Sequence, residues 1–150
     1  MTDPISPATA AFLDEVMPVI VGVRRADGTV AMNPAWYEFL DGRFWLNSWR
    51  GARWLEHLER ERRASMLFVD PADMHRVVRV SASLARTDTE GAAEHVDRLS
   101  HRYRGEPYRS PSPQRRVLIE LVPTRVRSTL PAPPSPNTAT PVNGKWPAHK

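Results

Sequence analysis

Two Asp-Gly dipeptides, Asp27-Gly28 and Asp41-Gly42, each separate runs of apolar and β-branched residues. Asp-Gly between such runs is among the strongest short signals for a β-hairpin, because the tight turn needs positive φ angles. The runs joined by these turns begin at residue 19 and end at residue 47, so we expect three strands in an antiparallel meander. Asn33-Pro34 interrupts the middle run, which indicates an edge strand, a bulge or the approach of another group.

The rest of the chain alternates strand patterns with a few helical ones. Ser6 and Pro7 are typical of the start of a short helix, which Pro18 is expected to end. Thr87 and Glu90 have the spacing of a capping box, which predicts a later helix running to Tyr103. A helix is also expected over 51–61, and further strands over 64–69, 75–85 and 115–123. The sequence therefore predicts a mostly β fold with peripheral helices, an α+β protein whose six antiparallel strands close into a small barrel.

Composition changes near the end of this patterned region. Residues 1–127 have the mixed pattern of one compact domain, whereas the stretch from Ser128 onward reads STLPAPPSPNTATPVNGKWPAHK. Six prolines in 23 residues exclude regular helix and central strand. We therefore expect residues 128–150 to form a disordered, proline-rich tail.

The composition excludes several classes of function. No cysteine is present, which excludes disulfides, zinc–thiolate sites, iron–sulfur clusters and cysteine nucleophiles. The net charge is +4, but acidic residues interleave with the arginines, as in LERERR (58–63), so a solvated helix face is favoured over a nucleic-acid surface. No signal peptide and no apolar run of about 20 residues is found, so we expect a cytoplasmic protein without a membrane segment.

Common motifs for phosphate binding, hydrolysis and metal binding are also missing. The chain has no G-x-G-x-x-G, P-loop or G-x-S-x-G sequence, and its five histidines do not have H-x-x-x-H spacing. Asp70, Asp73 and His75 surround Pro71, and a polar turn explains them better than a metal site. No metal ligands are therefore predicted.

One basic stretch, LNSWRGARWLEHL (46–58), lies where a strand is expected to pass into a helix. Ser48 is a suitable N-cap, and the free N–H groups of a first helical turn can bind an anion. Arg50, Arg53 and His57 share one helix face, and arginine matches phosphate geometry. The alternative is a surface helix whose arginines pair with Glu56 and Glu59. The pattern alone leaves both interpretations open.

Several segments, in this order, resemble the pyridoxamine 5′-phosphate oxidase-like family, and more narrowly its flavin- or deazaflavin-dependent reductases from actinobacteria. These segments are 33–37 (NPAWY), 44–47 (FWLN), 57–58 (HL), 64–69 (ASMLFV) and 98–108 (RLSHRYRGEPY). The resemblance covers roughly residues 6–127. It implies a six-stranded split β-barrel of the FMN-binding type, which forms a homodimer with the cofactor in a groove at the interface.

The resemblance also implies which residues bind the cofactor. Pro34, Ala35 and Trp36 would line the ring system, Arg53 would bind its phosphate, and His57 belongs to the same basic face. The remaining residues of the predicted site border the cofactor: Asn47, Ser48, Trp49, Arg50 and Gly51. Trp45 is expected to pack in the core instead.

Two departures from the family pattern bear on the cofactor. Many relatives have a lysine three residues before an Asn-Leu pair, where this chain has Trp54 and His57, so Arg53 is expected to take over the phosphate. Relatives often have glycine where Ser81 stands. The resemblance favours the deazaflavin F420, with FMN as the alternative.

The activity implied is that of an oxidoreductase that transfers hydride to an activated C=C or C=N bond of a small organic substrate. Tyr37 and His57 are the candidate proton donors, and no catalytic residue is assigned. Two alternatives stay open at this stage. One is a non-catalytic flavin- or haem-binding carrier or accessory protein of the same fold, and the other is a cofactor-free module that docks a partner through its tail.

Overall fold

A computed structural model describes residues 4–131. In chain order the elements are α1 (Pro7–Leu13), β1 (Val19–Arg24), β2 (Val30–Ala35), β3 (Tyr37–Leu40), β4 (Arg43–Trp49), α2 (Arg53–Glu61), β5 (Arg63–Asp70), β6 (Asp73–Asp88), α3 (Ala92–Arg104), a single 3₁₀ turn (Pro113–Arg115) and β7 (Arg116–Thr129). No helix in this part of the chain is long and apolar enough to cross a membrane. Most of the predicted tail, residues 132–150, lies outside the described residues, whereas Ser128 and Thr129 belong to β7 and pair with Val78 and Val77.

The seven strands form one antiparallel sheet in the order β2-β1-β5-β6-β7-β4-β3. The sheet curls into a half-barrel around the core, which confirms the mostly β fold with peripheral helices. The strand count is seven rather than six, because the run predicted as one strand breaks at Trp36.

The predicted three-stranded meander is wrong. β2 pairs with β1 at one edge of the sheet, while Tyr37 of β3 pairs with Leu46 of β4 at the other edge. Pro34 has no N–H to donate, so its strand suits an edge position. The chain therefore crosses from one edge of the sheet to the other at Trp36, and both Asp-Gly hairpins form but do not share a strand.

The strand pattern explains the core. In β1 the buried residues alternate with less buried ones, which places Val19, Val21 and Val23 on the inner face. Three aromatic side chains fill the centre: the ring of Phe68 lies 4.8 Å from that of Tyr37 and 5.0 Å from that of Phe44. Burial of these apolar surfaces is the main stabilising contribution to the fold.

One prediction about the helix ends is confirmed, and two are wrong. Ser6 caps α1 as predicted, since its Oγ accepts the N–H of Thr9 at 3.1 Å, but the helix ends at Leu13, before Pro18. The capping box at Thr87 does not form, because Thr87 is still in β6 and pairs with Ile119. Helix α3 begins at Ala92, directly after Gly91 in the left-handed conformation.

The aspartate side chains around Pro71 accept hydrogen bonds from backbone N–H groups of the same turn. Asp70 accepts the N–H of Ala72 at 2.8 Å, and Asp73 accepts the N–H of His75 at 3.0 Å. These carboxylates close the connection between β5 and β6, as the alternative to a metal site predicted.

Candidate functional site

A groove of about 430 Å³, here called the central groove, lies where β2 passes into β3. Its walls come from the edge strand β2, from β4 and β7 in the other half of the sheet, and from helices α2 and α3. Six of the ten predicted site residues line it: Pro34, Ala35, Trp36, Asn47, Ser48 and Trp49. The other lining residues are Pro18, Trp54, Val96, Leu99, Tyr108 and Arg116. The crossing at Trp36 therefore brings the two predicted segments, 34–36 and 47–49, onto one surface.

The basic end of the site is a second cavity of about 520 Å³, here called the basic pocket. It shares Trp49 and Trp54 with the central groove and contains Arg53 and His57. Arg25 from the β1–β2 turn adds a further cation. Since a guanidinium can only donate, the contact of 3.2 Å between Arg60 Nη1 and His57 Nδ1 makes that ring nitrogen an acceptor.

Helix α2 presents its N-terminus to the basic pocket. The helix begins at Arg53 with Ala52 as its N-cap, so no side chain caps the first turn. The prediction that Ser48 caps this helix is wrong, because β4 continues to Trp49 and Ser48 pairs with Val117 inside the sheet. The uncapped N–H groups and the cation of Arg53 make this end of the site suitable for an anion.

Ser48 has a different role in the site. It is buried, it lines the central groove, and its Oγ has no hydrogen-bond partner within residues 4–131. A buried hydroxyl without a partner costs free energy, and the Ser48 Oγ is enclosed rather than open to the groove. With aromatic walls on one side and the basic pocket on the other, the residues present fit a planar cofactor that carries a phosphate.

Arg50 and Gly51 do not line the central groove or the basic pocket. Arg50 Nη1 donates to Glu59 Oε1 at 2.6 Å, as the surface-helix alternative predicted for this arginine. Gly51 has a φ of +109°, and a Cβ atom there would lie 2.7 Å from Cζ3 of Trp49. Glycine at this position therefore lets the Trp49 ring lie against the backbone beside the groove.

A network of polar side chains holds Asn47. Its Nδ2 donates to the carbonyl of Ala92 at 2.8 Å and contacts His95 Nδ1 at 3.1 Å, while its Oδ1 accepts from Arg116 Nε at 2.8 Å. Because the amide nitrogen of Asn47 can only donate, Nδ1 of His95 accepts, and the other ring nitrogen, Nε2, contacts Glu38 Oε1 at 3.0 Å. Asn47 is thereby fixed in one orientation.

Glu38 contacts the other ring nitrogen of His95 and so extends this network. Burial opposes its ionisation, but hydrogen bonds from His95 and Arg98, together with the charge of Arg98, outweigh burial and lower the pKa of Glu38 to about 2. Arg98 donates to both carboxylate oxygens, each at 2.9 Å. The carboxylate is therefore ionised at neutral pH and pairs with a fixed guanidinium.

Aromatic contacts fix Trp36. Its ring stacks on Tyr103 with centroids 5.3 Å apart and meets Tyr108 edge-on at 6.5 Å. The hydroxyl of Tyr103 donates to the carbonyl of Met17 at 2.6 Å and accepts the N–H of Tyr37 at 3.2 Å. The junction between β2 and β3 is thus held rigidly against α3.

The structure changes the interpretation of two aromatic residues, Tyr37 and Trp45. Tyr37 is fully buried, and its hydroxyl donates to the carbonyl of Leu13 at 2.8 Å; burial also raises its pKa. It is therefore a core residue rather than a proton donor in the groove. Trp45 does not pack in the core: it is half-buried on the opposite face of β4 from Phe44 and Leu46, and its Nε1 donates to the carbonyl of Leu40.

Sequence reasoning missed Tyr108 and Arg116, which lie far along the chain from the predicted site. The segment 98–108 carried part of the family resemblance, which was the available signal for Tyr108. No local pattern marked Arg116, because its place in the groove depends on the pairing of β7 with β4.

Comparisons with known proteins agree with this fold. The family profile described as pyridoxamine 5′-phosphate oxidase matches residues 5–130. A solved F420 reductase is 18% identical with a TM-score of 0.72, covering 78% of this chain and 94% of that chain. A conserved hypothetical protein from Mycobacterium tuberculosis is 21% identical with a TM-score of 0.64, covering 92% and 98% of the two chains. No curated protein matches.

Proposed function

Because the chain belongs to the pyridoxamine 5′-phosphate oxidase family, we propose that it is an oxidoreductase that uses F420, or alternatively FMN. The reaction proposed is hydride transfer to an activated C=C or C=N bond of a small organic molecule. One observation supports this most directly. A groove with aromatic walls adjoins, at Trp49 and Trp54, a pocket that contains Arg53 at the uncapped start of α2.

The two ends of the site would bind different parts of the cofactor. Arg53, with the uncapped first turn of α2, would hold the phosphate, and His57 adds a polar group beside it. Pro34, Ala35 and Trp36 would line the ring system in the central groove. This division follows from charge, since Arg25 and Arg53 lie together in the basic pocket, whereas the groove has mainly apolar and aromatic walls with Arg116 at one boundary.

When bound in its reduced form, the deazaflavin or flavin supplies the hydride. The chain's own residues orient the reactants and keep water from the reacting atoms. Trp36, which stacks on Tyr103, and Trp49 provide aromatic walls for the groove. His57 is the remaining side-chain candidate for proton transfer, because the hydroxyl of Tyr37 is already used in the core. Orientation and exclusion of water need no catalytic dyad.

We also propose a homodimer with the groove at its interface. Val30 and Met32 are exposed apolar residues of the edge strand β2, and Met32 lines the basic pocket. A second copy placed against this edge would cover them and narrow the opening of the site. A monomeric mass in solution, measured with and without cofactor, would contradict this assembly.

The test is a titration of the purified protein with F420 and with FMN, followed by tryptophan and cofactor fluorescence. Micromolar or tighter binding to one of them is expected. The reduced form of that cofactor is then mixed with a panel of quinone and enone acceptors, and its oxidation is followed by absorbance. Binding without oxidation by any acceptor would favour the carrier alternative, and binding to neither cofactor would overturn the proposal.

A further inference from the structure

Arg116 opens β7 at the boundary between the central groove and a third cavity. This cavity, here called the loop pocket, has a volume of about 260 Å³ and lies under the loop between α3 and β7. Its lining includes Tyr108, Ser110, Ser112 and Arg115. Trp49 borders the loop pocket, the central groove and the basic pocket, so the three cavities adjoin at its ring.

Arg116 is half-buried and lacks a carboxylate partner among residues 4–131. Its Nε donates to Asn47, and its guanidinium carbon lies 5.2 Å from the centre of the Tyr108 ring. Burial lowers the pKa of this guanidinium, which is the sign of a desolvated cation that no acidic side chain compensates. Placing such a cation in a groove is costly unless a ligand supplies the negative charge.

The position of Arg116 is set by its neighbours. Asn47 accepts from its Nε and is itself held by His95 and the carbonyl of Ala92. The N–H of Tyr108 donates to Asp97 at 3.0 Å, which ties the aromatic neighbour to α3. The contact with Asn47 uses Nε, one of the three guanidinium nitrogens.

The adjacent arginine is already engaged. Arg115 Nη2 donates to the carbonyl of Arg50 at 2.6 Å, and its guanidinium lies over the Trp49 ring at 5.8 Å. Arg115 thus supports the Trp49 wall, whereas Arg116 is the cation that the groove presents to a ligand.

We propose that Arg116 binds the anionic group of the substrate, and that the substrate is a planar organic acceptor carrying a carboxylate or a similar anion. This inference rests on the proposed function, because it assigns the cofactor phosphate to Arg53 at the opposite end of the surface. Trp49 and Tyr108 flank the planar part, and the fork of Arg116 matches the two oxygens of a carboxylate.

The probes for the test are 2-naphthoate and 2-naphthamide, which share a ring system and differ in charge. Their affinities for the full chain are measured by calorimetry, with and without bound cofactor. We expect the naphthoate to bind at least about tenfold more tightly, and Arg116→Gln to remove that preference. Arg125→Gln is the matched control, since Arg125 is an exposed residue of the same strand outside these cavities and its loss should leave the preference intact.

Affinities for F420 and FMN, measured on the same variants, separate this inference from the proposed function. Because Arg116 also holds Asn47 at the groove, Arg116→Gln is expected to lower cofactor affinity, but by a smaller factor than it lowers affinity for the naphthoate. If it lowers cofactor affinity but leaves the naphthoate preference, Arg116 binds the cofactor and the proposal is overturned. A naphthoate preference in a protein that binds neither cofactor would support the anion site while refuting the proposed function.

Arg116→Lys provides a second variant if Arg116→Gln does not fold. It keeps the charge but cannot make the forked contact, so a weakened preference for the naphthoate is expected. Absence of any preference in the parent protein, or its survival in Arg116→Gln, would overturn the proposal.

Discussion

The indole ring of Trp49 occupies space that a side chain on Gly51 would need. The distance from Cζ3 of Trp49 to an ideal Cβ at Gly51 is 2.7 Å, and the backbone of Gly51 has a φ of +109°. Trp49 borders all three cavities of the site, so the glycine two residues later determines the shape of the whole surface. Gly51, which the family resemblance predicts to border the cofactor, makes room for the ring of Trp49.

Replacing Gly51 with alanine should therefore lower both stability and cofactor affinity. Gly42→Ala is the matched control, because Gly42 also has a positive φ, of +72°, but an added Cβ there meets nothing within 4 Å. Both variants bear the conformational cost of about 1–2 kcal/mol, and Gly51→Ala also displaces Trp49. Thermal unfolding and a cofactor titration check this, and equal cofactor affinity in both variants would contradict the role of Gly51.

Arg53→Gln should weaken cofactor binding more than Arg50→Gln does. Arg53 lies at the uncapped start of α2 in the basic pocket, whereas Arg50 is paired with Glu59 on the surface. Loss of a charge-assisted contact costs about 1.5–3 kcal/mol, or roughly 10- to 100-fold in affinity. Fluorescence titration of both variants gives the comparison, and a larger loss for Arg50→Gln would move the phosphate to the other arginine.

Protonation of Glu38 should make the protein less stable in acid. Its pKa is lowered from an ordinary 4.5 to about 2 in the folded protein, so its contribution is fully present above about pH 4.5 and is lost as the pH falls towards 2. Because the Arg98 side chain is 58% exposed and solvent screens the pair, the contribution is on the order of 1–2 kcal/mol. Denaturant unfolding of the parent and of Glu38→Gln between pH 2.5 and 7 should show a flatter pH dependence in the variant. Parallel curves would mean that Glu38 is not the group responsible.

Tyr37→Phe should reduce stability and leave turnover unchanged. The variant loses the hydrogen bond from the buried hydroxyl to the carbonyl of Leu13, which costs about 1 kcal/mol. Because that hydroxyl lies in the core, proton delivery to a substrate should not depend on it. Chemical denaturation measures the loss of stability, and kcat with the active cofactor and acceptor measures turnover. A large fall in kcat at unchanged cofactor affinity would restore Tyr37 as a proton donor.

The elements that short-range chemistry controls were predictable. The Asp27-Gly28 and Asp41-Gly42 turns produce their hairpins because their positive φ angles are decided within four residues. Ser6 caps the first helix for the same local reason. The local rules failed at Thr87, where pairing with Ile119 across the sheet stabilises a strand against a good capping signal.

The candidate site was predictable in part. The segments 34–36 and 47–49 were singled out by their resemblance to a family pattern, and both line the central groove. The pairing of Arg50 with Glu59 could not be separated from phosphate binding on the pattern alone, because a cation three residues from another on a helix face fits both. Side-chain geometry resolves that choice for Arg50, and leaves Arg53 as the candidate for the phosphate.

The sequence by itself determined the hairpins, the alternation that builds a mostly β fold, and which short segments carry the family pattern, because each depends on neighbouring residues. The tertiary structure decided the rest. Sheet order separates β2 from β3, and the crossing at Trp36 brings Pro34 to the same groove as Ser48. Pairing of β7 with β4 places Arg116 beside Asn47, 69 residues away in sequence. Such contacts depend on how strands pair over long separations, and no local pattern records them.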